Sequence, residues 1–301
     1  MLTRRQFVAA SVASLPFIAR GAAKPALSLG LVADPQYADI DPLYTRFYRQ
    51  SIDKLGAAMD HFNSRDLDFC VNVGDTIDQH WASFDAILKP FATCRHKVHH
   101  VLGNHDFDLP DDAKPNVPKR LGMEGRYYSV TRGNFCFAML DTNDVSIHGA
   151  VAGTPQYTNA VATLKQTAAT GVIYAQPWNG AVGPAQMQWL EDTYRKAAEA
   201  KQKVILFAHH PIFPALNNHN AWNSEALLKF AQRNRNVVAW INGHNHQGAY
   251  GVYEGVHCLT LKGMVETKDT NSFSVAQLFD DRMVITGTGR EPSRELVFRA
   301  A

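Results

Sequence analysis

The sequence is poor in cysteine, in net charge and in long apolar runs, and each shortage removes a class of protein. Its four cysteines, Cys70, Cys94, Cys136 and Cys258, are widely separated and include no C-x-x-C pair, which excludes zinc-finger chemistry. Cys70 and Cys136 lie inside apolar runs, where a buried free thiol is the ordinary state. Thirty basic residues against twenty-eight acidic ones leave a formal charge of +2, too little for a whole-protein field that holds nucleic acid or an anionic membrane. No nucleic acid polymer and no protein partner is predicted. Repeats, low-complexity blocks and linkers are also missing. What remains is 301 residues, 46% hydrophobic and 19% charged, enough for one large domain with a full apolar core.

The one extended apolar stretch is N-terminal. Thr3-Arg4-Arg5-Gln6-Phe7 precedes Val8 to Ile18 and then small residues near Gly21-Ala22-Ala23. The stretch is too short to span a bilayer. Paired arginines followed by one residue and Phe resemble a twin-arginine export signal, which carries folded proteins across the bacterial inner membrane. Residues 1–23 are therefore expected to be a signal and 24–301 the functional domain. Such a chain meets the membrane only during export and ends in the periplasm or outside the cell.

Past the signal, short β-type runs alternate with amphipathic helical stretches, the pattern of a layered α/β fold. Asp41-Pro42 reads as a helix start, with Leu43, Phe47, Ile52, Leu55, Met59 and Phe62 forming one apolar stripe. Apolar runs at 27–33, 68–73, 98–102, 135–140, 204–208 and 237–241 read as buried strands. Toward the C-terminus, hairpins turn at Glu254-Gly255 and at Asp280-Asp281, and a second sheet closing over the first is expected. Residues 144–182 show weak periodicity and read as a long loop or insertion.

The strand ends carry Asp34-Pro35-Gln36, Gly74-Asp75-Thr76-Ile77-Asp78, Gly103-Asn104-His105-Asp106, His209-His210-Pro211 and Gly243-His244-Asn245-His246. In α/β sheets ligands collect at one set of strand ends, so these segments can converge. Any one of them alone reads as a turn or a satisfied core residue. Five polar clusters at buried strand ends instead demand metal ions to satisfy them. An oxygen and nitrogen donor set without thiolate suits Mn, Fe or Zn.

In order and residue type these segments resemble the motifs of the calcineurin-like metallophosphoesterase superfamily, D-x-H, G-D-x-x-D, G-N-H-[DE], H and G-H-x-H. Gln36 stands where most members carry His, and Ala33 to Asp39 is similar to the opening motif of manganese-dependent ADP-ribose/CDP-alcohol diphosphatases. Further likeness to that subfamily lies at Leu140-Asp141, Trp178-Asn179-Gly180, Ala221-Trp222-Asn223, 243–250, Gly263 to Thr267 and Gly289 to Pro292. Pro35 and the stretch near 150–175 depart from it. The resemblance implies an αββα sandwich of two mixed sheets flanked by helices and a centre of two divalent ions, Mn foremost, with Fe and Zn as alternatives. Asp34, Gln36 and His246 would hold one ion, Asn104, His209 and His244 the other, and Asp75 would bridge them. A hydroxide bound between the ions is the implied nucleophile. His105 would donate a proton or hydrogen bond, oriented by Asp78.

An amide oxygen at Gln36 makes the first site harder and weaker, which favours Mn²⁺. Alternatively Gln36 satisfies a turn while water ligates. His210 either faces the substrate or packs. His61, His80, His96, His99, His100, His148, His219 and His257 sit in no ligand spacing and receive no role. Tyr37, Trp178 and Trp222 are candidates for stacking on a base or for the core. The implied reaction is hydrolysis of a nucleotide diphosphate linkage. Two other readings share the motifs: a broader phosphodiesterase or phosphomonoesterase, and a non-catalytic binding protein that keeps the fold.

Overall fold

A computed structural model describes residues 24–300 of the chain, so the twin-arginine segment lies outside the described residues. The chain opens with β1 (Leu27–Val32), α1 (Ser51–Asn63), β2 (Phe69–Asn72), α2 (Ser83–Ala92) and β3 (Val98–His100). It continues through α3 (Val117–Arg120), β4 (Tyr128–Arg132), β5 (Phe135–Met139), β6 (Val145–Ser146), α4 (Pro155–Ala169) and β7 (Gly180–Ala181). Next come α5 (Pro184–Glu199), β8 (Lys203–Phe207), α6 (Ser224–Arg233) and β9 (Val237–Asn242). The hairpin β10 (Ala249–Tyr253) and β11 (Val256–Thr260) precedes β12 (Ser272–Leu278), β13 (Arg282–Gly289) and β14 (Arg294–Val297).

Two six-stranded sheets result, ordered β14-β13-β12-β1-β2-β3 and β10-β11-β9-β8-β5-β4. The alternation of side chains along a strand assigns each face. Leu29 and Leu31 of β1 point into an inter-sheet core shared with Phe69, Phe137, Phe207 and Ile241. On the outer face of the first sheet, Leu55, Met59 and Phe62 of α1 pack with Phe84 and Ile87 of α2. On the outer face of the second, Leu190 of α5 and Leu227 and Phe230 of α6 cover Leu206 and Trp240. The architecture is the expected αββα sandwich of mixed sheets.

Three expectations are corrected. The late hairpins do not build a separate second sheet: β10 and β11 extend one sheet, while β12 joins β1 antiparallel and β13 and β14 continue that sheet outward. The helix after Asp41-Pro42 begins at Ser51 instead, leaving Leu43 and Tyr44 exposed. There Leu43 and Arg46 exchange backbone hydrogen bonds of 3.0 and 3.1 Å, and Phe47 N–H donates to the Val265 carbonyl. Tertiary pairing with the 265–267 segment thus overrides a local cap signal. Within 144–182 lies a 15-residue helix, α4, with Thr154 as N-cap and Pro155 at its first position. It buries only Ala160, so it had no apolar stripe to betray it.

His100 on β3 is buried, with its ring centroid 5.0 Å from that of Phe91 and Nδ1 3.4 Å from the Asn72 amide nitrogen. Burial, with the nearby His99 and Lys97 charges, pushes its pKa down to about 3. The unfolded chain takes up that proton near pH 6.5, so the stability contributed by neutral His100 is present above that pH and drains away as pH falls toward 3. In the presence of chelator, His100→Gln is expected to be less stable than the parent at pH 7.5 but to lose less melting temperature between pH 7 and 5. Thermal scans with parallel profiles would contradict this.

Candidate metal centre

The five motif loops leave the carboxyl ends of parallel strands β1, β2, β3, β8 and β9 and meet at one end of the sandwich. Their backbone is locally strained to turn donors inward. Asp34, Gln36, Asp75 and His244 have φ of 50°, 46°, 51° and 68°, in the left-handed region that non-glycine residues seldom adopt. Close approach also requires glycine: a Cβ on Gly103 would lie 2.1 Å from Asp75 N, and one on Gly243 would lie 2.6 Å from Asp34 Oδ2.

All seven residues expected to hold metal come together and are buried. Asp75, His209 and His244 bring ligand atoms within 4.8 Å of one another, and so do Asp34, Asp75 and His246. Asp75 belongs to both groups, which is the geometry of a bridge. The surroundings fix the free face of each imidazole. His209 Nδ1–H donates to the Val73 carbonyl at 2.9 Å, His244 Nε2–H to Asn179 Oδ1 at 2.9 Å, and His246 Nδ1–H to Glu266 Oε1 at 2.8 Å. These partners leave His209 Nε2, His244 Nδ1 and His246 Nε2 as ligand atoms. Gln36 Nε2 donates to Asp78 Oδ2 at 3.4 Å, which leaves Oε1 without a hydrogen-bond partner.

The donor chemistry fits metal ions. His209 Nε2 lies 3.1 Å from Asn104 Oδ1 and 3.2 Å from Asp75 Oδ2, three acceptors with no hydrogen between them. Asp34 Oδ2, Gln36 Oε1 and Asp75 Oδ2 are buried without any hydrogen-bond partner. Acceptors so placed are costly unless a cation sits among them. A proton is the fallback: burial disfavours the His209 imidazolium, but the Asp75 carboxylate outweighs burial and draws its pKa up to about 9. Burial likewise opposes charge on Asp75, yet the His209 and His105 imidazoles hold it below the ordinary carboxylate range.

His105 lies outside the two groups of ligand atoms that share Asp75. Its backbone N–H donates to Asp75 Oδ1 at 2.9 Å, and its Nδ1 lies 3.2 Å from Asp78 Oδ1 and 3.5 Å from Asp108 Oδ2. Burial works against its charge, but the Asp75 carboxylate and the hydrogen bonds to Asp108 and Asp78 raise its pKa to about 10. It faces a cleft of about 330 Å³ lined also by Arg46, Asp75, Asn104, Trp178, His219, His244 and His246.

His219 and Arg46 carried no readable signal, and the sequence leaves the roles of several motif residues open. His219, assigned no role, lines the cleft with its ring 5.2 Å from that of His244. Arg46 arrives there through the turn that replaced the expected helix start, paired with Glu266. Asp106 accepts the Thr76 and Gly103 N–H groups at 2.8 Å each and fastens two ligand loops together. His210 packs: it is buried between Thr142 Oγ1 and the Trp178 carbonyl. Trp222 is also core, donating to the Gln176 carbonyl, and Tyr37 packs on the helix-side cluster, so Trp178 is the aromatic face on the cleft.

Known proteins agree with this geometry. The Calcineurin-like phosphoesterase family model matches residues 27–248. A manganese-dependent ADP-ribose/CDP-alcohol diphosphatase of Danio rerio is 30% identical, covering 88% of this chain and 96% of its own. Proteins of the same name from Bos taurus and Arabidopsis thaliana are each 29% identical, covering 90% and 91% of this chain and 94% and 98% of theirs. The crystal structure of a dimetal phosphatase from Danio rerio superposes with a TM-score of 0.82 at 28% identity, over 92% of this chain and all of that one. Strand order, a paired-ion donor set and a matched span of more than half the sequence point one way: the chain belongs to the calcineurin-like phosphoesterase family and is a metal-dependent hydrolase.

Proposed function

We propose that this enzyme hydrolyses the pyrophosphate bond of ADP-ribose or of a CDP-alcohol, releasing two phosphomonoesters, and that it works in the periplasm or outside the cell. One observation carries the reaction: Asp75, with a buried unpaired carboxylate oxygen, and the ligand candidates Asn104, His244 and His246 line a cleft that also presents Arg46, His105 and the face of Trp178. A nucleoside diphosphate presents the complementary features of two anionic groups and a flat base. Arg46 supplies charge for a phosphate beyond the metal centre, and Trp178, 38% exposed, supplies a stacking surface. The names of the relatives support the same substrate class and manganese as the preferred metal.

Asp34, Gln36 and His246 would hold one divalent ion, Asn104, His209 and His244 the second, with Asp75 between them. Bound ions supply Lewis acidity, activating water and neutralising charge on the phosphoryl group. The chain's own residues do the rest. When the bond from phosphorus to the bridging oxygen breaks, His105 delivers a proton or hydrogen bond to the departing phosphate. Asp78 and Asp108 fix the imidazole for that transfer, and Asp78 holds Gln36 at the same time.

Export rests on the arginine pair of Thr3-Arg4-Arg5-Gln6-Phe7 and the short apolar stretch behind it. Replacing Arg4 and Arg5 by lysine should strand the enzyme in the cytoplasm on cell fractionation; unchanged export would refute the signal.

The reaction is tested by loading the protein with Mn²⁺ and following ADP-ribose, CDP-choline, a cyclic nucleotide and a simple phosphomonoester side by side. AMP or CMP released predominantly from the diphosphates supports the assignment. Dominant cleavage of the other two moves the enzyme to a broader phosphoesterase role. His105→Ala is expected to retain both metal ions and lose about 100- to 10,000-fold in kcat. Parallel loss of metal and turnover, read by elemental analysis and kinetics, would instead make His105 a ligand.

A further inference from the structure

Cys70 and Cys94 are 24 residues apart in sequence, yet their sulfurs lie 3.8 Å apart. The chain between them contains Asp75 and Asp78, so this pair brackets a metal bridge and the partner of His105. Cys70 is buried on β2, while Cys94 follows the end of α2 and is half-buried.

Three features hold the pair. Gly30 pairs with Cys70 across β1 and β2, and a Cβ there would meet Cys70 Sγ at 2.8 Å, so the missing side chain is what makes room for the thiol. Asn63 at the end of α1 grips both neighbours of Cys94, donating to the Thr93 carbonyl at 2.9 Å and accepting the Arg95 N–H at 2.8 Å. Thr93 is fixed again by its own hydroxyl, which donates to the Pro90 carbonyl at 2.8 Å. Cys94 is thus held against Cys70 by hydrogen bonds independent of the sulfurs, beside the cationic side chain of Arg95. The hydrogen bond from Cys70, the His96 N–H and the charges of His96 and Arg95 outweigh burial and draw the Cys94 thiol down to about 6; the same bond and burial push Cys70 up. Of the two thiols, Cys94 is the more exposed and Cys70 the buried one. Cys136 and Cys258 are buried in β5 and β11 of the other sheet.

We propose that Cys70 and Cys94 are a redox modification site, joined as a disulfide by exchange with an external disulfide, which locks the loop carrying Asp75 and Asp78. Cys94 thiolate attacks one sulfur of the external disulfide, forming a mixed disulfide and expelling the first thiolate. Cys70 then loses its proton and attacks Cys94 sulfur, expelling the second. The external disulfide gains two electrons and becomes two thiols, while the protein pair loses two electrons. The bond closes a loop running from Cys70 to Cys94 and ties the segment after α2 to β2, the strand next to the β3 edge of the first sheet.

The test is to incubate the folded, metal-loaded enzyme with oxidised glutathione, then count thiols and map peptides by mass spectrometry. Two of the four thiols are expected to disappear into a Cys70–Cys94 linked peptide, to return with dithiothreitol, and to be accompanied by a rise in melting temperature of roughly 5–10 °C. Cys94→Ser, at a half-buried position that tolerates the change, should keep its remaining thiols and show no rise. A persistent glutathione adduct on Cys94, four thiols left free, or a linked pair other than Cys70 and Cys94 would each overturn the assignment.

Discussion

Buried hydrogen-bond acceptors facing one another without donors are the constraint around which this molecule is arranged. His209 Nε2 lies 3.2 Å from Asp75 Oδ2 and 3.1 Å from Asn104 Oδ1, and Asp34 Oδ2 and Gln36 Oε1 are buried without partners. An apolar core would expel such a set. Its persistence requires a cation, and everything around the centre keeps the acceptors in place.

The support comes in layers. Strand ends deliver the ligands, left-handed backbone at Asp34, Gln36, Asp75 and His244 turns them inward, and glycines at 103 and 243 let the loops touch. Outside them, Val73, Asn179 and Glu266 each take one imidazole hydrogen, so that the other ring nitrogen is free. Farther out, Lys54 donates to the carbonyls of Met264 and Glu266 at 2.9 and 3.0 Å, and Arg290 donates to the Gly263 and His246 carbonyls at 3.0 and 3.3 Å. Two buried or half-buried cations therefore hold the segment that carries the partner of His246.

How much of this was legible depends on range. Asp34 through His246 could be read because each ligand sits directly after an apolar strand, and a strand end is a local signal. The alternation of strands and helices gave the layered α/β class, and the αββα sandwich followed from the family resemblance. Arg46 could not be read, because Asp41-Pro42 is a sound helix signal and only pairing with the distant 265–267 segment cancels it. His219 and Asp108 are single polar residues in loops, and their positions are set by tertiary contacts that no spacing encodes. Helix α4 was hidden for another reason: with one buried residue, it has no apolar face to announce it.

The account stands or falls on metal stoichiometry. Equilibrium dialysis against Mn²⁺ at neutral pH, followed by elemental analysis, should find two ions per chain, and Asp75→Asn should weaken both together because that carboxylate is shared. One ion or none in the parent chain, or two ions held undiminished by Asp75→Asn, would contradict the bridging centre.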